Sequence, residues 1–416
     1  MSPSPCTKGR RLSALIVNYE SGPWALRCVE SLIEEWERDG RERDDLEIVV
    51  VDSGSKPGEE TWWRSLRRLG ARVCSEKENV GYASGLNLAY QKTTGAADDV
   101  VALLNPDLYF LHGSLRPLLE RLDQAAHVGA VAPRLFIDEE RQLRLPPNEL
   151  PTPWIELVEA LSHYSPALAR VFAGRRSAQT RRWWNAERTT TTEMLSGACV
   201  FMRREVVERL EVLMDTRYPL YFEDADLSRR LDHLGLSLEM VPEAEALHHW
   251  SRCAGPDFEG EVAERHAHSR TVWLGEHHDG FVDRSLLALA SWVRSRCEGR
   301  TARPMHPLEE LGVLNESPLI DFPDDGDYTV ELSLTPFWGL SVGVQVEADS
   351  YCFPARTWSW LFPGTYYLRA LDQAGRCLGA WSFEKRSPAR SWPLDHSSFP
   401  SPRRSSAPTY LGERVG

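Results

Sequence analysis

Three short runs of this chain are apolar at nearly every position: LSALIV at 12–17, LEIVVV at 46–51 and VVALL at 100–104. A strand with one wet face alternates apolar and polar residues, whereas a strand covered on both faces does not. These runs therefore predict the inner strands of a parallel sheet. Between the first two, PWALRCVESLIEEWE places Leu26, Val29, Ile33 and Trp36 at helical spacing, and SGLNLAYQKT after Gly81 and Tyr82 reads as another helix start. Strand, helix, strand, helix, strand is the order of an α/β unit.

Further along, WIELVEALSHY predicts a helix, followed by the basic stretch GRRSAQTRRWWNAERTTTT. EMLSGACVFM reads as a strand, 203–213 as a helix, and 261–298 as amphipathic helix. Beyond about 300–325 the pattern changes to short strand candidates, YTVELSL, SVGVQVEA, TWSWLF, TYYLRALD and CLGAWSF, separated by Pro and Gly turns. This predicts a second, all-β, sandwich-like domain. The organisation expected is a flexible N-terminus at 1–11, an α/β domain at 12–300, a linker at 301–324, the β domain at 325–385 and a Ser-, Pro- and Arg-rich flexible tail at 386–416. Trp338, Trp358, Trp360, Tyr366, Tyr367 and Trp381 make the β domain aromatic. Packing or self-association is favoured over sugar stacking for them, which leaves a homodimer through the C-terminal domain open.

Composition narrows the functions. With 48 Lys and Arg against 61 Asp and Glu, the formal charge is −13, which argues against a general affinity for DNA, RNA or anionic lipid and leaves only a local basic patch open. The eight cysteines are scattered without a C-x-x-C pair, as expected of reduced thiols in a cytoplasmic protein. No window approaches the roughly 18 apolar residues of a membrane span, so a contact with the inner membrane face would be peripheral.

In parallel sheets the ligand crevice lies beyond the carboxyl ends of the strands. Those ends carry Asn18 and Tyr19, then Asp52-Ser53-Gly54-Ser55, then Asn105-Pro106-Asp107. VNYESGP has too few glycines for a dinucleotide fingerprint, and no phosphate-binding G-x-x-x-x-G-K-[ST] is present. A second polar cluster lies in LYFEDADLSRRL at 220–231. Asp226 stands four residues before Arg230, the spacing of a surface ion pair, while Asp224 shares helical spacing with Leu227 and Leu231 and so projects toward the protein. Acids at a helix start also complement its dipole, so on residue types alone capping and catalysis are equally good readings.

VNYE, VVVDSGS, ENVGYASGLNLA, LLNPD, LSGACVFMRREVV, YFEDADLSRRL and VPEAEALHH occur in one order over residues 12–280. In combination they resemble the family 2 glycosyltransferases of the GT-A fold, particularly the rhamnosyltransferase-like branch. The resemblance implies an inverting, metal-dependent transfer of a sugar from a nucleotide diphosphate donor, dTDP-rhamnose or a UDP-sugar, to a hydroxyl acceptor. That acceptor could be a glycan, a lipid-linked glycan, a protein or a small molecule.

It also implies roles. Asn18, Tyr19 and Asp52 match the positions holding the nucleobase and ribose, and Asn79, Gly81 and Asn87 the motif beside the nucleotide and sugar. Asp107 matches the last acid of the D-x-D motif, whose first acid is Asn105 here, and His248 the histidine completing a Mn²⁺ or Mg²⁺ site. Ser196, Gly197 and Ala198 match the floor of the sugar and acceptor site, Asp224 the general base, and Glu223 its neighbour. His249 is a second candidate ligand. The alternatives are a non-catalytic sugar-binding or scaffold protein and a nucleotide-sugar hydrolase.

Overall fold

The computed structural model describes residues 10–249, 261–297 and 304–388. They fall into two compact units. The first takes residues 1–137, 147–160 and 183–298, and the second takes 138–146, 161–182 and the chain from 299 onward.

The first unit is built on one sheet. Its strands are β1 (Leu12–Asn18), β2 (Leu46–Asp52), β3 (Arg72–Ser75), β4 (Val100–Leu104), β5 (Leu108–Phe110), β6 (Val128–Phe136), β7 (Thr190–Thr192), β8 (Cys199–Arg203) and β9 (Ser237–His248). The order across the sheet is β3-β2-β1-β4-β8-β6-β9-β5, with β7 also paired to β9. β3, β2, β1 and β4 run parallel, and β8 pairs antiparallel to β4. Every residue of β1, β4 and β8 is buried, which is why those runs carry no polar alternation. From β1 the chain turns to β2 on one side and later fills β4 on the other, so the carboxyl ends of β1 and β4 flank a topological switch point.

The helices are α1 (Gly22–Arg38), α2 (Glu60–Arg68), α3 (Tyr82–Gln91), α4 (Leu115–Gln124), α5 (Pro153–Ser162), α6 (Pro166–Trp184, mostly in the second unit), α7 (Arg204–Glu208), α8 (Glu223–His233), α9 (Glu261–His277) and α10 (Phe281–Cys297). α1 buries Ala25, Cys28, Val29, Leu32 and Trp36, one helical stripe. Proline in its first turn removes an amide that the helix could not satisfy internally. α3 packs Ala83, Leu86 and Ala89 into the core of β1 and β2. Gly85 permits that approach, since a Cβ there would stand 2.8 Å from the Val17 side chain.

Several sequence expectations change. EMLSGACVFM forms strand only over Cys199–Arg203; the preceding residues remain loop and present backbone groups to the site. The helix expected at 203–213 is confined to Arg204–Glu208. β3 is a four-residue edge strand with half-exposed and exposed side chains, too short and too polar to stand out as a buried run.

The second unit holds the expected all-β domain as a five-stranded sheet of order β10-β14-β13-β11-β12. The strands are β10 (Glu309–Leu314), β11 (Ile320–Ser333), β12 (Val342–Tyr351), β13 (Gly364–Leu371) and β14 (Cys377–Lys385). The stretch 301–324, expected as a linker, carries β10 and the start of β11; β10 is largely exposed at the sheet edge, so burial never patterned its sequence. TWSWLF, expected as a strand, lies mostly in helix α11 (Ala355–Trp360). Its first i to i−4 bond, Trp358 N–H to the Pro354 carbonyl at 2.8 Å, overrides the strand preference of its tryptophans. Trp338, Trp358, Trp360 and Tyr366 are core residues, in keeping with packing. Arg369 donates to buried Glu331 at 2.8 and 2.6 Å, and Ser177 of α6 donates to the other Glu331 oxygen. Those bonds offset the cost of burying the pair. The expected flexible tail lies outside the described residues from 389 onward, as do residues 1–9.

Candidate active site

The carboxyl ends of β1 and β2 are tied together by polar side chains. Asn18 is wholly buried and donates from Nδ2 to Asp52 Oδ1 and to Ser55 Oγ, both at 3.3 Å, while its Oδ1 accepts Ser21 Oγ at 2.9 Å. Ser55 Oγ donates to Asp52 Oδ1 at 2.5 Å and accepts the Glu20 amide at 2.8 Å. All of these Asp52 bonds fall on one carboxylate oxygen. Tyr19 stands exposed beside this knot.

The next loop is held by Asn79, whose Oδ1 accepts Ser53 Oγ at 3.2 Å, the Gly81 amide at 3.0 Å and Arg265 Nη1 at 3.4 Å. Gly81 has φ +81, and a Cβ there would meet the Pro219 carbonyl oxygen at 2.8 Å, so both conformation and space require glycine. Asn87 is placed differently. Its amide clasps the Met214 backbone from both sides, donating at 2.8 Å and accepting at 2.9 Å, so it anchors α3 to the chain leading into α8.

Asp107 sits in the turn after β4, immediately before β5. The antiparallel pairing of β5 with β9 sets Leu108 opposite His248, which brings Asp107 Oδ1 to 3.4 Å from His248 Nε2. Asn105 Nδ2 lies 3.3 Å from the same ring nitrogen, and the Asn105 amide is held by the Ala198 carbonyl at 2.8 Å. Burial works to raise the Asp107 carboxyl, but His248 and His249 prevail and hold it below the ordinary aspartate range. His249 packs its ring on Trp24 at 5.1 Å, so His248 is the partner the strand pairing presents to Asp107.

A carboxylate and an imidazole nitrogen facing one another need a proton or a cation between them, and oxygen plus imidazole suits Mn²⁺ or Mg²⁺. Among the described residues no group of three or more His, Cys, Asp or Glu could hold a metal. Asp107 and His248 can supply two ligands to such a cation, whose remaining positions a diphosphate and water would have to fill.

The acids of 220–231 open α8. Tyr221 and Phe222 both adopt left-handed backbone, φ 63 and 66, which is strained for aromatic residues and turns the chain sharply into the helix. Asp224 Oδ2 accepts the Gly197 amide at 3.1 Å, and Oδ1 accepts the Ala225 amide at 3.0 Å. Burial raises the Asp224 carboxyl above the ordinary range against the pull of those amides. Ser196 and Ala198 flank that contact, joined by the Ala198 amide to Ser196 Oγ at 3.3 Å.

Glu223 is 6% exposed, and its Oε2 has no hydrogen-bond partner among the described residues. Burial first, and the charge of Asp224 second, raise its carboxyl well above the usual glutamate range. Asp226 does pair with Arg230, at 2.7 Å, but not on the surface as expected. It is buried, because Arg230 also reaches back to the Val212 and Leu213 carbonyls and closes over it.

Residues 13–211 match the family model for glycosyl transferase family 2. A curated protein of Mycobacterium tuberculosis (strain CDC 1551 / Oshkosh), N-acetylglucosaminyl-diphospho-decaprenol L-rhamnosyltransferase, is 28% identical over 312 residues, 70% of this chain and 95% of its own length. Residues 13–211 therefore have the character of a family 2 glycosyltransferase domain, and the chain as a whole resembles the rhamnosyltransferase. The same enzyme from strain H37Rv matches equally. Among solved structures, a mannosyltransferase from Pyrobaculum calidifontis in complex with GDP-Man and Mn²⁺ aligns at 16% identity and TM-score 0.39 over 72% of this chain and 78% of its own. GalNAc-T7 with UDP, GalNAc and Mn²⁺ aligns at 14% and 0.44, over 90% and 72%.

The candidate site contains a residue that sequence reasoning passed over. Tyr82, first in α3, donates its hydroxyl to the Gly197 carbonyl at 2.9 Å, while the Gly197 amide holds Asp224. Burial raises its phenol well above the usual range, and the charges of Glu223, Asp224, Cys199 and Asp107 add to that. The phenol thus lies within electrostatic reach of both acid groups. An aromatic directly after a glycine that opens a helix beside a strand end was the available signal. Tyr82→Phe removes only the hydroxyl; turnover is expected to fall on the order of tenfold with donor KM unchanged, because the Gly197 backbone that holds Asp224 loses part of its positioning. An unchanged kcat would show that Gly197 needs no such support.

Glu223 gives a second prediction. A carboxyl raised in the folded state favours folding below its unfolded pKa of about 4.3, and that contribution is lost as pH rises through the folded value. Glu223→Gln should therefore raise the melting temperature relative to the parent at pH 8, with the gain shrinking toward pH 5. Thermal denaturation at both pH values checks this, and equal melting curves at both would contradict it.

Proposed function

We propose that the chain is a metal-dependent, inverting glycosyltransferase acting on nucleotide-sugar donors, and that it moves a deoxyhexose from a dTDP-linked donor such as dTDP-rhamnose to a hydroxyl of a lipid-linked, diphosphate-bearing glycan. The donor and acceptor reading rests on the rhamnosyltransferase relative, whose substrate is named as decaprenol-linked. The observation that supports the mechanism is the pair of neighbouring residues Gly197 and Ala198, whose backbone holds Asp224 through the Gly197 amide at 3.1 Å and the Asn105–Asp107 turn through the Ala198 carbonyl at 2.8 Å.

In this reading Asn18 and Asp52 hold the nucleoside, with the second Asp52 oxygen offered to a ribose hydroxyl. Asn79 and Gly81 shape the loop beside the sugar. Asp107 and His248 hold a divalent cation against the diphosphate; when bound, it supplies charge neutralisation to the leaving group. Asp224 Oδ accepts the proton of the acceptor hydroxyl while that oxygen bonds to the anomeric carbon. The bond from that carbon to the diphosphate oxygen breaks, and the nucleotide leaves with the electron pair. Two peptide N–H bonds fix the carboxylate, and burial lifts it toward the range in which a general base works best. One displacement without an enzyme-bound sugar inverts the anomeric centre.

A panel of nucleotide sugars with lipid-linked and soluble acceptors, read by product mass, tests this. Growth of the lipid-linked acceptor by one deoxyhexose, with release of dTDP, is expected. Free sugar alone would make the protein a hydrolase, and binding without turnover would make it a sugar-binding protein.

A further inference from the structure

Among the described residues no helix is long and apolar enough to cross a membrane. An enzyme whose acceptor is anchored in lipid works at the surface of a bilayer. We propose that the outer face of α10 meets that bilayer and docks on anionic lipid headgroups; this rests on the lipid-linked acceptor of the reading above.

α10 is apolar on two sides. Ala290 and Val293 are buried. Phe281, Val282, Leu289 and Trp292 are not, being 87, 67, 44 and 56% exposed. At 3.6 residues per turn these four project within an arc of about 100°, with Ser285 between them and Ala288 at its edge. A continuous exposed stripe with two aromatics at its ends differs from scattered surface apolars and marks a contact surface.

Charge selects the occupant. The chain as a whole carries −13, yet the charged side chains of α10 that border this stripe are Arg284 and Arg296, with exposed Asp279 standing just before the helix. Arg284 flanks Phe281, and Arg296 continues the stripe with its guanidinium 5.3 Å from the Trp292 ring. The helix's one acid, Asp283, lies on the far side, 3.6 Å from His278. Arg294 is turned to Glu156 of α5, which also binds Arg270 and fastens this part of the unit. An indole and a phenyl ring framed by arginines suit the boundary between acyl chains and phosphates, where rings bury and guanidinium groups reach the headgroups. A second copy of the chain would set these arginines against their own kind across a two-fold axis.

The test is flotation of the full-length protein with vesicles of phosphatidylglycerol and phosphatidylcholine, against phosphatidylcholine alone. Binding is expected to the anionic vesicles and to fall as salt is raised. Phe281→Ser with Trp292→Ser should reduce partitioning at least tenfold. Arg284→Gln and Arg296→Gln should each reduce it about fivefold at low salt. Donor hydrolysis by all four substitutions should match the parent. No vesicle binding, or parental binding by the aromatic variant, overturns the proposal. So does a parent dimer in size-exclusion chromatography that the aromatic variant disperses, since the stripe would then belong to a second copy. If the vesicle results hold while the product panel names a soluble acceptor, the docking surface stands and the acceptor reading falls.

Discussion

Asp224→Asn is expected to lower turnover by about 10²–10⁴-fold while leaving the fold and donor affinity near those of the parent, the scale of losing a general base. The amide keeps the shape of the side chain but cannot take the acceptor's proton. Its oxygen can still accept the Gly197 N–H bond that Asp224 Oδ2 accepts at 3.1 Å, so the loop at 196–198 should stay in place. Single-turnover kinetics with a saturating donor separate chemistry from binding. Turnover within a few-fold of the parent would remove Asp224 from the base role, and Glu223, with its unpartnered Oε2, would inherit it.

Asp107→Ala is expected to abolish cation-dependent binding of the nucleoside diphosphate. Asp107 is the carboxylate that the β5–β9 pairing sets against His248, and among the described residues no third acid, histidine or cysteine joins them to form a metal-holding group. With so lean a site, removing one of the two proposed ligands leaves a single imidazole, which holds Mn²⁺ or Mg²⁺ poorly against water. Calorimetry of dTDP or UDP binding with and without Mn²⁺ reads this directly. A cation effect that survives the substitution would move the metal elsewhere.

The inner sheet was legible because β1, β2 and β4 are buried on both faces, a condition that writes itself into consecutive residues. Edge strands left no such trace. β3 and β10 are short or exposed, and Glu309-Glu310 reads as linker when nothing covers it. α11 was misread because Trp358 and Trp360 favour strands by type, while a proline-led backbone turn decides the local hydrogen bonding. At the site, i to i+4 spacing correctly joined Asp226 to Arg230 but could not show that Arg230 is fastened over it by two carbonyls from the preceding loop. Tyr82 escaped for a related reason, since its partner Gly197 is 115 residues away. Asn87 reads as a donor-site residue in its motif, yet in the fold its amide is spent on Met214.

The anomeric configuration of the product, determined by NMR beside that of the donor, tests the central claim most directly. Deprotonation of the acceptor by Asp224 and one in-line displacement predict a product of inverted configuration, formed in step with nucleoside diphosphate release. A product that retains the donor's configuration would contradict it, because retention requires a second displacement or a different face of attack, and the carboxylate held by Gly197 could not then be the base.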